Sequence, residues 1–441
     1  MENLSNRLCS AAKRVTAMES CHRTGRLVGI SGSTQIATLP GAKMGELVKI
    51  GRNLLPAVVV GFDGARAVLS SMARETSLAR GMKVEATGVT ARIGWSEKLL
   101  GRVLSPLGQP LDGHALPPLQ STMALDAPAP HPLRRRPIDQ VLKTGLKVID
   151  GLLTLGLGQR VGLFAGAGLG KSTLLGQMAC GAQTDCVVVC MVGERGREVR
   201  EFLHVTLGPK VMERCVAVVA TSDEPAGVRA MALPTATALA EGFRAKGANV
   251  LLLVDSLTRH ARALRERAIG AGELPGRRGF PSSVFDQIAS VVERAGNDHK
   301  GSITAIYTVL TEDRDEDDPV AEEVRGLLDG HVILSKDQAK RGCFPAVDPA
   351  RSISRLMSSL VDKSHLRASE EFRRLWATYE ERRDLIAAGA YEPGTEPLTD
   401  RALASYESML GFMTQDRDEV FFGDILKELE GCMRESSDEK P

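Results

Sequence analysis

The run VGLFAGAGLGKSTLLGQM, Val161 to Met178, constrains the fold more than any other stretch of the chain. An apolar, strand-like segment leads into a loop with glycine at positions 166, 168 and 170, and a helical pattern begins near Lys171. Strand, glycine-rich loop and helix in that order form the phosphate-binding unit of parallel α/β sheets. The loop lets backbone N–H groups surround phosphate oxygens, and the helix adds the positive end of its dipole. Gly166, Ala167, Gly168, Leu169, Gly170, Lys171, Ser172 and Thr173 are therefore candidate nucleotide-binding residues, with Lys171 as the mobile cation and Ser172 as a Mg²⁺ ligand. The strict motif has glycine where this chain carries Ala165, a residue small enough to be tolerated. A glycine-rich turn without a ligand would leave Lys171 and Ser172 together after the last glycine unexplained.

A magnesium-assisted site needs a carboxylate at the end of a neighbouring buried strand, and NVLLLVDS supplies Asp255, which also suits the N-cap of a following helix. Hydrolysis further needs an acceptor that orients and polarises water. Glu194, directly after the strand VVVCMV and within GERGRE, stands where ligands of open α/β sheets bind and leads the candidates. Glu198, suited to the metal's water shell, and Glu241 remain alternatives.

Around this unit the text divides into regions. Residues 1–22 place Leu4, Leu8, Ala11, Val15 and Met18 on one face of a short amphipathic helix, read as an ordinary packing helix in preference to a membrane-touching one. Residues 23–96 hold short apolar runs separated by Gly, Ser and Pro, the pattern of a small closed β-barrel. A proline-rich linker from Pro106 to Pro137 opens a region, 97–354, where buried strands alternate with helices, and from Arg355 to residue 441 the apolar spacing is helical.

Charge and composition exclude several functions. With 56 basic against 55 acidic residues the net charge is +1, and aromatics are only 4%, which argues against a nucleic-acid-tracking surface. No apolar stretch approaches the roughly 18 residues of a membrane span, and the N-terminus does not read as a signal peptide, so a cytoplasmic protein is expected. The eight cysteines have no C-x-x-C spacing and read as reduced, buried thiols. Cys186 and Cys190 share one apparent strand that would not converge both sulfurs on a metal.

The order of longer motifs goes further. LLGRVLSPLGQPLDG, TGLKVIDGLLTLGLGQRVGLFAGAGLGKSTLL, GERGREVREF, LLLVDSLTRHARALRE, LPGRRGFPSSVF, KGSITAIYTVL, EEVRGLLDGHVILS and CFPAVDPARSISRLM follow one another along the chain. On these motifs it resembles the type III secretion ATPases, relatives of the catalytic subunit of rotary ATP synthases. The resemblance implies a RecA-like ATP-binding domain between the barrel and a helical bundle, with ATP and Mg²⁺ bound. It implies that Glu194 activates water with Arg195 and Glu198 in support, that Arg259 senses the γ-phosphate and that Phe344 stacks on adenine. Arg355 corresponds to an arginine finger supplied to the adjacent subunit, so the active unit would be a ring, a homohexamer.

Such a ring would couple ATP hydrolysis to chaperone release, unfolding and export of proteins. Its partners would be a central stalk, peripheral regulators and chaperone–substrate complexes, at the cytoplasmic face of the inner membrane beside the export gate. IDGLL, GKSTLLG and REVREF resemble the virulence injectisome more than the flagellar export apparatus. A flagellar export ATPase, a synthase-type catalytic subunit and a nucleotide-gated structural ring are the alternatives. The acidic run TEDRDEDDPVAEEVR and the segment Ala387 to Tyr391 depart from the family text, and RALASYESMLGFM and EGCMRESSDEKP carry little recognisable pattern. LPGRRGFPSS, with Arg277 and Arg278 between two turn signals, reads as a loop facing a central channel.

Overall fold

The computed structural model describes residues 23–32, 34–73, 78–311, 318–416 and 420–434. The N-terminal amphipathic segment, residues 312–317 of the acidic run and residues 435–441 lie outside them.

The chain forms two units, the first comprising the residues up to Ala91 with Pro225–Val228 and Leu264–Leu274. Its strands are β1 (Thr24–Ser31), β2 (Thr34–Thr38), β3 (Glu46–Ile50), β4 (Leu55–Asp63), β5 (Arg66–Ser71) and β6 (Lys83–Thr90). They close in the order β1-β2-β5-β4-β3-β6, and pairing of β1 with β6 completes the barrel. Alternation along the strands decides which residues fill it. Leu27, Val48, Ile50, Val59, Leu69 and Val84 point inward and are buried, as the period of two requires in a small barrel.

The second unit is built on a nine-stranded sheet. Its strands are β7 (Val103–Leu104), β8 (Arg160–Ala165), β9 (Cys186–Glu194), β10 (Cys215–Thr221), β11 (Asn249–Asp255), β12 (Ser302–Leu310), β13 (Gly330–Ile333) and β14 (Ile353–Ser354), with Gly296–Asn297 paired on β12. The order is β14-β13-β8-β12-β11-β9-β10-β7. All neighbours in the path are parallel except β13 and β14. Every residue of β9 is buried, which requires cover on both faces of the sheet and explains why CVVVCMV reads as a continuous apolar run. Cys186, Cys190 and Cys215 lie in this layer as free thiols whose burial pushes their ionisation up.

Two helices carry site residues, α1 (Lys171–Gly181) and α2 (Leu257–Gly270), and three form the C-terminal bundle: α3 (Lys363–Ala387), α4 (Pro397–Met413) and α5 (Phe422–Arg434). Asp362 caps α3 by accepting from the N–H groups of Ser364 and His365. The bundle closes around aromatic rings. Phe372 stacks on Trp376 with centroids 6.1 Å apart, meets Phe412 at 5.4 Å and is fully buried. Phe372→Ala is expected to destabilise the bundle by about 3–5 kcal/mol, because the ring's transfer energy and a cavity are both lost. Urea unfolding followed by helical circular dichroism measures it, and an unchanged midpoint would mean the site collapses without penalty.

Candidate active site

Four adjacent parallel strands deliver the site: β8, β12, β11 and β9, ending at Ala165, Leu310, Asp255 and Glu194 on the carboxyl edge of the sheet. Strands about 4.8 Å apart put Asp255 two ladder steps from the phosphate loop, within reach of a long side chain at the start of α1. Gly168 and Gly170 take φ of +78° and +81°, a region that L side chains avoid, and Gly170 opens α1 without a side-chain cap. The first N–H groups of the helix therefore face the loop uncapped, as an anion site requires. Ala165 is the last residue of β8, paired with Leu310 in extended backbone, so its departure from glycine has no conformational consequence.

A cleft of about 1170 Å³ is lined by Gly166, Ala167, Gly168, Gly170, Lys171, Ser172, Thr173, Glu194, Arg195, Glu198, Asp255 and Arg259. Leu169 turns its side chain into the hydrophobic core, leaving only its backbone to the loop. Phe344 does not line the cleft but stands beside it: its ring lies 3.7 Å from where a Cβ on Gly170 would be. Arg355 is elsewhere. Its guanidinium donates to the Arg325 carbonyl at 3.3 Å and its N–H to the Asp329 carbonyl. Glu241 is also elsewhere, its carboxylate taken at 2.6 and 2.9 Å by the buried Arg294.

Inside the cleft the charges compensate one another. Lys171 Nζ donates to Asp255 Oδ1 and lies 3.8 Å from Glu194 Oε1, while Arg259 Nη2 is 3.0 Å from Glu194 Oε2. Thr308 adds a hydrogen bond of 3.0 Å to Asp255 Oδ1. Arg195 is largely exposed and pairs with Glu198 at 3.3 Å. Glu194 is only 4% exposed and its Oε1 has no hydrogen-bond partner. Burial, then a hydrogen bond with Glu198, then the charge of Asp255 push its carboxyl up to about 7, against the pull of Lys171 and Arg259. The same hydrogen bond holds Glu198 below the usual range.

Several residues of the site were not found by sequence reasoning. Gly193 has φ +70°, its carbonyl accepts from Arg259, and a Cβ there would stand 3.1 Å from Arg259 Cδ. The register against β10 slips between Val192 and Glu194, so this glycine makes the irregularity that precedes Glu194. Its signal was the Gly–Glu pair ending an apolar strand. Thr308 and Lys336 had no local signal. Lys336 lines the cleft from a distant segment, as does Arg278, which the sequence marked only as part of a channel-facing loop, while Arg277 pairs with Glu322 at 2.5 Å.

The position of Glu194 carries a pH consequence. Between an ordinary carboxylate value of about 4.3 and the folded value, the native chain keeps a proton that the unfolded chain has released. The contribution of Glu194 to stability therefore falls as pH rises through that window and stays unfavourable above it. For the protein without nucleotide, Glu194→Gln is expected to raise the thermal midpoint relative to the parent at about pH 8 and to leave it nearly unchanged at about pH 4. Equal shifts at both pH values, by differential scanning calorimetry, would contradict the raised carboxyl.

Comparison with known proteins extends the geometry to the whole chain. The model of the ATP synthase alpha/beta family, nucleotide-binding domain, matches residues 145–354, and that of the T3SS EscN ATPase C-terminal domain matches residues 361–431. The type 3 secretion system ATPase of Xanthomonas euvesicatoria is 44% identical over 402 residues, 90% of this chain and 91% of that protein. The flagellum-specific ATP synthase of Bacillus subtilis (strain 168) is 42% identical over 406 residues, 91% of this chain and 93% of that protein. Among solved structures, the assembled ATPase EscN from the enteropathogenic E. coli type III secretion system superposes with a TM-score of 0.89 at 41% identity, covering 93% of this chain and 100% of that one. With relatives this similar over nearly its full length and a phosphate loop at the matching strand end, the chain belongs to the type III secretion ATPase family.

Proposed function

We propose that this chain hydrolyses ATP to power type III protein export, as one subunit of a homohexameric ring. The observation that carries the reading is the convergence of Lys171, Asp255 and Glu194 in one cleft, in a chain that matches secretion ATPases nearly end to end. The family members include ATPases of injectisomes and of flagella. The injectisome reading rests on IDGLL, GKSTLLG and REVREF and on the EscN-type C-terminal match.

In this mechanism residues 166–173 hold the phosphates through loop N–H groups and Lys171, and the Phe344 ring receives the adenine. Ser172 and Asp255 supply the hard oxygen donors that suit Mg²⁺, with Glu198 toward its water shell, and the buried, unpartnered Glu194 Oε1 fits a site completed by further polar groups. Magnesium, when bound, neutralises charge on the phosphates. Glu194 accepts a hydrogen bond from the attacking water and takes its proton, a task suited to a carboxyl near 7. Arg259, held on Gly193 and paired with Glu194, orients that carboxylate and serves to sense the γ-phosphate. Arg355 does not line the cleft of its own chain, which supports its service to the neighbouring subunit.

The solved relatives include an assembled EscN and EscN in complex with its central stalk EscO. By that likeness this chain assembles with copies of itself and receives a stalk protein, with regulators and chaperone–substrate complexes as further partners. Among the described residues no helix is long and apolar enough to cross a membrane. By likeness to the secretion ATPases the ring works in the cytoplasm, held peripherally at the export gate, with segments at 1–22, 23–96, 97–354 and 355–441.

Lys171→Ala and Glu194→Gln are each expected to bring phosphate release to background. Arg355→Ala is expected to lower it by about 10³-fold, the scale of an arginine finger. Mixing the Arg355→Ala and Lys171→Ala chains at assembling concentration restores activity if each site borrows its arginine from the neighbour. Absence of recovery in rings shown to be mixed would refute the shared site, and a parent protein without turnover would refute the enzyme.

A further inference from the structure

Thr414 to Asp416, directly after α4, bind to the segments that flank the base side of the cleft. Gln415 is the centre of this strap. Its backbone N–H donates to the Phe344 carbonyl at 2.9 Å, its Oε1 accepts from the Lys147 N–H at 2.8 Å, and its Nε2 donates to the Gly145 carbonyl at 2.8 Å. On either side, the Thr414 hydroxyl lies 3.7 Å from Cys343 Sγ and Gln177 of α1 donates to the Asp416 carbonyl at 3.1 Å. A primary amide presents a donor and an acceptor in one plane, so one side chain can satisfy a backbone N–H and a backbone C=O together.

Phe344 is the residue with most to gain from this anchoring. It is 44% exposed, and its ring stands against Gly170, the last glycine of the phosphate loop. The direction of a partly exposed ring depends on how its backbone is anchored, and the Phe344 carbonyl accepts from the Gln415 N–H. The amide of Gln415 in turn fixes the strap to the Gly145–Lys147 loop.

We propose that Gln415 is a positioning residue for purine recognition: by tying the strap to the Gly145–Lys147 loop it fixes Phe344 beside Gly170, so that the base of the nucleotide has a preset ring to stack on. The proposal rests on the reading of Phe344 as the adenine platform. Gln415 acts through that ring and does not itself line the cleft.

The test uses full-length protein at one concentration where the parent assembles. Gln415→Ala is expected to raise the KM for ATP about 10-fold with kcat within about 2-fold, since base stacking is of that size and binds ground and transition states alike. Inhibition by inorganic tripolyphosphate, which has no base, should stay as in the parent. Phe344→Ala should raise the KM at least as much, and the double variant no further than Phe344→Ala alone, because both changes remove the same stacking. Gln415→Glu, which keeps the acceptor for the Lys147 N–H, should recover part of the affinity. Equal weakening of ATP and tripolyphosphate by Gln415→Ala would make Gln415 a structural residue and overturn the proposal. An unchanged KM in Gln415→Ala with a raised KM in Phe344→Ala would overturn it while leaving the base platform standing. If neither variant changes the KM, the platform itself is wrong and the proposal falls with it.

Discussion

The hydrogen-bonded register of β8, β12, β11 and β9 determines where every charge of the site can be. Asp255 and Glu194 end neighbouring strands, and the phosphate loop begins at the end of β8, two ladder steps from Asp255 and three from Glu194. Parallel strands bring all these ends to one edge, and strand separation sets the distance a cation must span. Lysine at the first position of α1 spans it. A shorter side chain there could not meet Asp255 and the loop from the same backbone position.

That geometry creates an electrostatic problem which the residues solve jointly. Asp255 and Glu194 are both nearly buried, and a buried carboxylate without a partner costs several kcal/mol. Asp255 is compensated by Lys171 and Thr308; Glu194 receives Arg259, its other oxygen has Lys171 at 3.8 Å but no hydrogen bond, and its carboxyl is raised to about 7. The two acids are thus set apart, Asp255 held against a cation and Glu194 raised to about 7 by its burial. In the proposed mechanism phosphates compete with Asp255 for Lys171, and Asp255 so released would help hold a divalent cation, whose charge would offset its own. A proton acceptor near its midpoint can take a proton from water and release it again at neutral pH.

The parts of this site that were legible in the sequence are those a strand end announces. Lys171, Ser172, Asp255 and Glu194 each follow an apolar run or a glycine loop, and each lines the cleft. Glu241 looked equivalent as an acid but is consumed by Arg294, a partner 53 residues away that no local pattern could reveal. Thr308 lay hidden as the hydroxyl of a buried strand, and Gln415 as one polar residue after a helix, because their meaning depends on which segments return beside them. Phe344 and Arg355 entered only through resemblance, since an aromatic and an arginine in irregular segments carry no spacing signal of their own. The barrel was readable from its alternating runs, whereas its register slips, between Leu27 and Gly29 for example, depend on closure.

Arg355 shows how one ladder can serve two sites. Its N–H donates to the Asp329 carbonyl, and the Asp329 carboxylate accepts from the backbone and the guanidinium of Arg160, at the start of β8. The other end of β8 is the phosphate loop. The residue proposed for the neighbour's nucleotide and the loop proposed for the chain's own are therefore fixed to the same six-residue strand. Half-buried Arg160–Asp329 hydrogen bonds, with Glu293 accepting from Nη1 of the same guanidinium, resist independent movement of Arg355. A displacement of β8 would carry Arg355 with it, and in the proposed ring that strand would link the chain's own phosphate loop to the arginine offered to the neighbour.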